Sequence, residues 1–265
     1  MKEIFCTGHT LPEAYHKAIL ALHSEGDILP CSDWNQNQKE ISVTFVVEAP
    51  LAEPRVSRLY VGGFKELQQY VMEIVDGLLD FRVGSGFEYT YHDRMARYPI
   101  LPESQPQAVT RFDQIDFVIR ELKRNSDSRR AVIDIRDNSV DAFSSDCACL
   151  QNMQFFIRNE ALHCKVLMRS NDAVEATFMN AFAFIMLQEH IAGELDVAVG
   201  TYAHRANSFH CYEKDFKLLE QYAKGIREKK PEELTYDYED YYKELMEENI
   251  PAIMGMIDTL KKQPG

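Results

Sequence analysis

The chain has 265 residues, 45% of them hydrophobic, and a formal net charge of −13. That length suits one large domain or two small ones with a substantial core, and the composition is that of an ordinary globular protein rather than a disordered chain. The negative charge excludes a general duplex-binding surface, which needs clustered cations, but leaves room for a few arginines converging on a small anion.

No apolar leader precedes the first helix motif, so no export signal is expected. The most apolar stretch, 173–187, is broken by Glu175, Thr177 and Asn180 and is too short to span a bilayer. The six cysteines lack metal-ligand spacing and are expected to be reduced. The expectation is a cytoplasmic protein with no membrane and no nucleic-acid partner.

In chain order, Thr10 and Glu13 form a capping box, Pro12 sits near the helix start and Gly26 follows its end. Leu11, Ala14, Tyr15, Ala18, Ile19 and Leu22 keep helical spacing between them. Ile41, Val43, Phe45 and Val47 alternate as a strand does. Residues 64–81 return to helical spacing, and Phe112, Ile115, Ile119 and Leu122 mark a further helix that runs into the basic turn "KRNSDSRR".

Next, "AVIDI" (131–135) reads as a buried strand, and "MQFFIRNEALHCKVLMRS" as two strands around a turn at Asn159 and Glu160. Residues 176–191 are apolar on nearly every face, which predicts a helix buried on all sides. The acidic, tyrosine-rich run "YDYEDYY" (236–242) reads as a solvated helix face in a helical C-terminal segment from about residue 217. The order lacks a strict strand–helix–strand rhythm. The fold class expected is α+β, one domain over 1–265 around a single sheet.

Several features carry chemical potential. "SSDCACLQNMQFF" puts Cys147 and Cys149 one residue apart, either a nucleophile or two small buried side chains. Arg129–Arg130 stand at one strand entrance and Arg169–Ser170 at a strand exit, and arginine forks with a hydroxyl suit a phosphate. Asn180 lies inside the apolar helix, where a buried amide must be hydrogen-bonded and can read a base edge. In "SFHCYEKD", His210 and Tyr212 share one face if extended. "GSG" (84–86) lacks the context of a dinucleotide loop and reads as a turn; no HExxH pattern or phosphate loop exists, and no metal is expected.

Taken together, "SRR" before a strand, a cysteine five residues before "QF", then "RSND", a helix with Asn and a His-x-Tyr pair resemble the thymidylate synthase superfamily. The resemblance is nearest to its short archaeal-type branch, with "EYTYH" (88–92), "CLQ", "RSNDA" and "FMN", and covers roughly residues 10–216. It implies helices around a central, mostly antiparallel sheet, and an obligate homodimer packed sheet against sheet.

The resemblance selects Cys149 over Cys147 as the nucleophile, attacking C6 of a pyrimidine nucleoside monophosphate so that C5 captures the one-carbon unit of 5,10-methylenetetrahydrofolate or a related modified folate. Arg169 and Ser170 would hold the phosphate, joined by Arg129 and Arg130 of the neighbouring subunit. These cations would also lower the thiol pKa. Arg55 in "AEPR" is a further phosphate candidate. His210 and Tyr212 would take the ribose hydroxyl, and Asp172 would sit between base and folate. The catalytic glutamate is assigned to Glu73, with Glu53 as the alternative. Asn180 favours uracil, hence dUMP and reductive methylation to dTMP.

The chain departs from the family at Ala148, where most members have proline, at Leu150, where histidine is common, and in "KKQPG" at the end. Those departures keep hydroxymethylation of CMP, dCMP or dUMP as the alternative, because water reaching the exocyclic methylene gives an alcohol instead of a methyl. A cysteine hydrolase using Cys149 and His210 leaves the arginines and Asn180 without a task. A non-catalytic nucleotide binder would not need Cys149.

Overall fold

The computed structural model describes residues 1–100, 110–144 and 146–262. Strand β1 (Glu3–Gly8) leads into helix α1 (Leu11–Glu25), where Thr10 Oγ1 accepts from the Glu13 N–H at 3.4 Å. The Glu13 carboxylate reaches one residue further back than the motif predicts, to the His9 N–H at 2.8 Å. Strands β2 (Asp27–Cys31), β3 (Gln36–Val47) and β4 (Val56–Ser57) precede α2 (Phe64–Val75).

The helix predicted over 64–81 thus ends six residues early. Gly77 adopts φ +68°, a left-handed conformation that stops the helix and that glycine enters without strain. Leu78 and Leu79 then serve a loop that returns through the Gly84–Gly86 turn. After it come α3 (Tyr91–Ala96), the short pair β5 (Tyr98–Ile100) and β6 (Thr110–Phe112), α4 (Gln114–Arg124), β7 (Val132–Asp134) and α5 (Asn138–Asp141).

The second half builds the sheet centre from β8 (Leu150–Arg158), β9 (Ala161–Asp172), α6 (Thr177–Leu195) and β10 (Ala198–Tyr212). Asn159 and Glu160 both take positive φ (51° and 60°), the two-residue hairpin geometry that matches strand twist. Because β9 and β10 pair in parallel, α6 is the crossover between them. Helix α7 (Phe216–Glu228), strand β11 (Thr235–Tyr236), α8 (Lys243–Glu247) and α9 (Ile250–Lys262) complete the chain.

The strand order is β1-β3-β10-β9-β8-β7, with β2 beside β3. Pairings β1–β3 and β9–β10 are parallel and the others antiparallel, so the fold is α+β around a mixed, mostly antiparallel sheet. One face carries Val43, Phe45, Met153, Phe155, Cys164, Val166 and Tyr202, all buried. On the alternate positions Phe156, His163, Leu167, Ala203 and Arg205 are half-buried and Lys165 is exposed.

The tyrosine-rich run departs from its prediction as a solvated face. Tyr238 and Tyr242 are buried, Tyr236 pairs through β11 with β4, and Tyr242 shares a hydroxyl hydrogen bond with Tyr60. The Glu53 carboxylate accepts the N–H groups of Tyr238 and Glu239, and the Arg55 guanidinium lies 4.5 Å from the Tyr238 ring. Charge marks only the outward side of this segment.

Candidate active site

Cys149 sits where the loop before β8 enters the sheet, and that loop is held by its carbonyls. Arg169, at the end of β9, donates Nε to Ala148 O at 3.1 Å and Nη2 to Cys147 O at 2.8 Å, while its own N–H goes to Cys149 O at 2.8 Å. Gln151 Nε2 adds a bond to Ala148 O at 2.8 Å. The half-buried Cys149 thiol is raised above its ordinary range by burial; Arg169 opposes this, and Cys147 and Asp146 reinforce it.

Three phenols surround the thiol. Tyr70 on α2 and Tyr89 and Tyr91 before and in α3 are raised by burial and by the nearby Cys149 charge, and Tyr91 Oη accepts the Leu150 N–H at 3.3 Å. Tyr70 Oη also donates to Asn180 Oδ1, which brings α2 and α6 together at the same point. Glu73 follows Tyr70 by one turn and is half-buried, its carboxyl raised by burial and eased by the Gln69 amide at 2.8 Å. A cavity of about 240 Å³ opens here, lined by Tyr70, Glu73, Leu79, Phe87, Tyr89 and Asp146 among others.

The polar strand ends supply the adjoining wall. Ser170 pairs with Ser208 and Asp172 with His210 across β9 and β10. His210 Nδ1 lies 3.4 Å from both serine hydroxyls, and its ring centroid is 4.8 Å from that of Tyr212. Burial lowers the His210 pKa while Asp172 raises it; burial raises Asp172, which accepts the N–H groups of Val174 and Glu175 ahead of α6. Asp172, Glu175 and Asp215 offer carboxylate oxygens within 4.8 Å of one another, but Lys214 pairs with Glu175 and Asp215 at 2.7 and 3.1 Å. The cluster is therefore compensated by a protein cation.

The other predicted residues lie elsewhere in the same chain. Val132 pairs with Gln154, so Arg129 and Arg130 enter the sheet about 17 Å along β8 from Cys149. Arg130 donates Nε and Nη2 to Glu121 at 3.2 and 3.0 Å; hydrogen bonds from Ser128, Arg124 and Arg130 hold that carboxylate down to about 2. Arg129 is exposed and carries no ion pair among the described residues. The cations expected to lower the thiol pKa are thus reduced to Arg169 within one chain.

Arg55 is 2% exposed and spent on Glu189 at 3.1 Å and Glu239 at 3.4 Å, so it does not face the thiol as a phosphate ligand would. Glu53 is likewise committed to backbone N–H groups of the tyrosine-rich segment. Of the two glutamates, only Glu73 lines the cavity beside Cys149. Sequence reasoning missed Tyr70, Tyr89 and Gln151. The available signal was that Tyr70 stands at i−3 from Glu73 on one helix face.

Comparison with known proteins gives the family. Residues 64–250 match the family described as "Thymidylate synthase". A Methanocaldococcus jannaschii protein named "Putative thymidylate synthase" is 31% identical over 219 residues, covering 80% of this chain and 93% of its own. The chain belongs to the thymidylate synthase family. A "Thymidylate synthase" of Bacillus subtilis subsp. natto is 30% identical over 108 residues, 40% of this chain and 38% of its own. The structure of thermostable thymidylate synthase A from Bacillus subtilis superposes with a TM-score of 0.62 at 17% identity, covering 81% of this chain and 84% of that one, a likeness of fold. No helix among the described residues is long and apolar enough to cross a membrane.

Proposed function

We propose that this family member transfers a one-carbon unit to C5 of a pyrimidine nucleoside monophosphate through a Cys149 adduct at C6, with reductive methylation of dUMP to dTMP as the reaction. What supports the reading is that Arg169 holds the loop of the Cys149 thiol, Ser170 follows Arg169 on the same strand, and Tyr70, which bonds the Asn180 amide and lies near Cys149, lines an aromatic cavity with Glu73. A hydrolase needs the thiol and has no use for the amide.

In this reading Arg169 and Ser170 bind the phosphate, and the dianion they recruit stays close to the Cys149 loop. Arg129 and Arg130 reach the phosphate of the other subunit's site, which fits their distance from Cys149 in their own chain and the half-exposed second face of the sheet. The enzyme is then a homodimer with shared sites. His210 and Tyr212 take a ribose hydroxyl. Glu73, its carboxyl raised by burial, is suited to move a proton.

The cavity beside Glu73 is aromatic on several sides, through Tyr70, Phe87, Tyr89 and Tyr91, and suits a flat heterocycle flanked by carboxylates. A reduced methylene-bearing folate bound there supplies the carbon at the formaldehyde level. Asp172, at the adjoining strand ends and outside the lining of this cavity, would face that group from the nucleotide side, and Leu79 and Ile74 would exclude water. Ala148 is the observation that favours a second reading, hydroxymethylation, because the loop before the thiol lacks the ring that most members have there; the end residues 263–265 lie outside the described residues.

The test is to incubate the protein with methylenetetrahydrofolate and dUMP, dCMP, UMP or CMP and weigh the products. Addition of a methyl to dUMP with release of dihydrofolate supports the reading. A hydroxymethyl product with tetrahydrofolate released moves the activity to the second reading, and no product on any nucleotide overturns both.

A further inference from the structure

Tyr70 bonds the Asn180 amide and lies near the Cys149 thiol, and the chemistry proposed above assigns it no task. Its hydroxyl has one hydrogen bond among the described residues, donated to Asn180 Oδ1. Asn180 is buried to 5% exposure on α6, yet its Nδ2 has no protein partner among the described residues and is not fully sealed from solvent. The amide therefore meets a ligand with its oxygen already engaged and its donor group free.

An amide reads a pyrimidine in one of two senses. Uracil presents an acceptor at O4 beside a donor at N3–H; cytosine presents a donor 4-amino group beside an acceptor at N3. An asparagine free to rotate by half a turn serves both equally. One that is held in a single sense serves one and leaves two donors or two acceptors facing each other with the other base, the costly arrangement for a desolvated polar pair.

We propose that Tyr70 is a positioning residue that sets base preference by holding the Asn180 amide in one sense, with Nδ2 donating to O4 of uracil and the second Oδ1 lone pair accepting N3–H. This rests on the nucleotide reading above. Turning the amide over would set its NH2 group against the Tyr70 hydroxyl hydrogen, and that hydroxyl has no second protein acceptor among the described residues to turn to. Burial, with Glu73, Tyr89 and Cys149 nearby, keeps the phenol protonated well above working pH, so the donor is permanent. Tyr70 and Asn180 come from α2 and α6, two helices packed against each other, which makes the holding group part of the rigid frame.

The experiment measures equilibrium binding of dUMP and dCMP by calorimetry to the wild type, Tyr70→Phe, Asn180→Ala and the double variant, with melting temperature recorded for each. The wild type is expected to prefer dUMP. Tyr70→Phe keeps the ring and removes one oxygen, and the dUMP-over-dCMP ratio should fall about tenfold, the scale of one desolvated polar mismatch. In the Asn180→Ala background the same change should leave the ratio unmoved, because the hydroxyl acts through the amide. An undiminished ratio in Tyr70→Phe, an equal loss for both nucleotides, or a ratio that still changes without Asn180 would overturn the inference. A wild type that prefers dCMP overturns the assignment to uracil. A wild type that binds neither nucleotide overturns this inference together with the reading it rests on.

Discussion

The Arg169 guanidinium donates to the carbonyl oxygen of Ala148 at 3.1 Å, one residue before the thiol. One side chain thus steadies the loop that carries Cys149 and offers its remaining N–H groups to an anion. Lysine cannot reproduce this, since the fork geometry that spans Cys147 O and Ala148 O belongs to a planar guanidinium. Arg169→Lys should raise KM for the nucleotide and also lower kcat by roughly 100-fold, the scale seen when a reacting group is misplaced by about 1 Å. A change in KM alone, measured by steady-state kinetics, would separate the two tasks and contradict the coupling.

The two glutamates should respond differently to the same substitution. Glu73→Gln removes a proton-moving group from the cavity wall and is expected to cost kcat roughly 100-fold or more with the fold intact. Glu53→Gln weakens the cap on Tyr238 and Glu239 and should lower the melting temperature with kcat close to wild type. Kinetics and thermal melts on both variants check the assignment; a slow Glu53→Gln enzyme of normal stability would reverse it.

Shared sites make a prediction about mixtures. Cys149→Ser and Arg129→Ala should each be inactive alone as homodimers. A heterodimer of the two owns one complete site, with Cys149 from one chain and Arg129 from the other. Unfolding and refolding an equal mixture should therefore recover about a quarter of wild-type activity, since half the dimers are mixed and each has one good site of two. Activity that stays at zero would mean that Arg129 serves the site of its own chain, and an Arg129→Ala homodimer active on its own would mean that it serves neither.

Much of the frame was legible in the residues. The cap at Thr10, the alternation of Ile41 to Val47, the turn at Asn159–Glu160 and the all-round apolar face of α6 are local signals, and each element stands where its signal lies. Contacts between distant segments were not legible. The burial of Tyr238 depends on Arg55 and Glu53, which are more than 180 residues away, and composition read the run as solvated because charge outnumbers what turns inward. Strand β1, the parallel edge partner of β3, is six residues long, with Ile4, Phe5 and Cys6 consecutive and Phe5 turned outward, so it shows no period-two alternation. The site divides in the same way: Asn180 and Arg169 follow from motif order, while Tyr70 acquires a meaning only when α2 packs on α6.

Two buried histidines predict an acid limb in stability. Burial lowers His16 to about 4 and His204 to about 3, against about 6.5 in the unfolded chain. As pH falls below 6.5 the unfolded state takes up protons that the folded state refuses, so their contribution is complete above about 6.5 and is lost toward pH 4. At pH 5 the loss is about 2 kcal/mol per ring. Urea unfolding between pH 5 and 7.5 measures it, and His16→Gln should remove part of the slope in that window, the rest belonging to His204 and to His210, which burial also lowers. A slope that His16→Gln leaves whole would contradict a neutral buried ring.

Addition of Cys149 to C6, as proposed, would free the hydrogen at C5. The direct measurement uses dUMP labelled with tritium at C5, incubated with methylenetetrahydrofolate and either the wild type or Cys149→Ser, with label counted in water. One tritium should be released per product formed by the wild type and none by Cys149→Ser, while Cys147→Ser still releases it. Release that survives in Cys149→Ser, or product formed with the label retained, would contradict it.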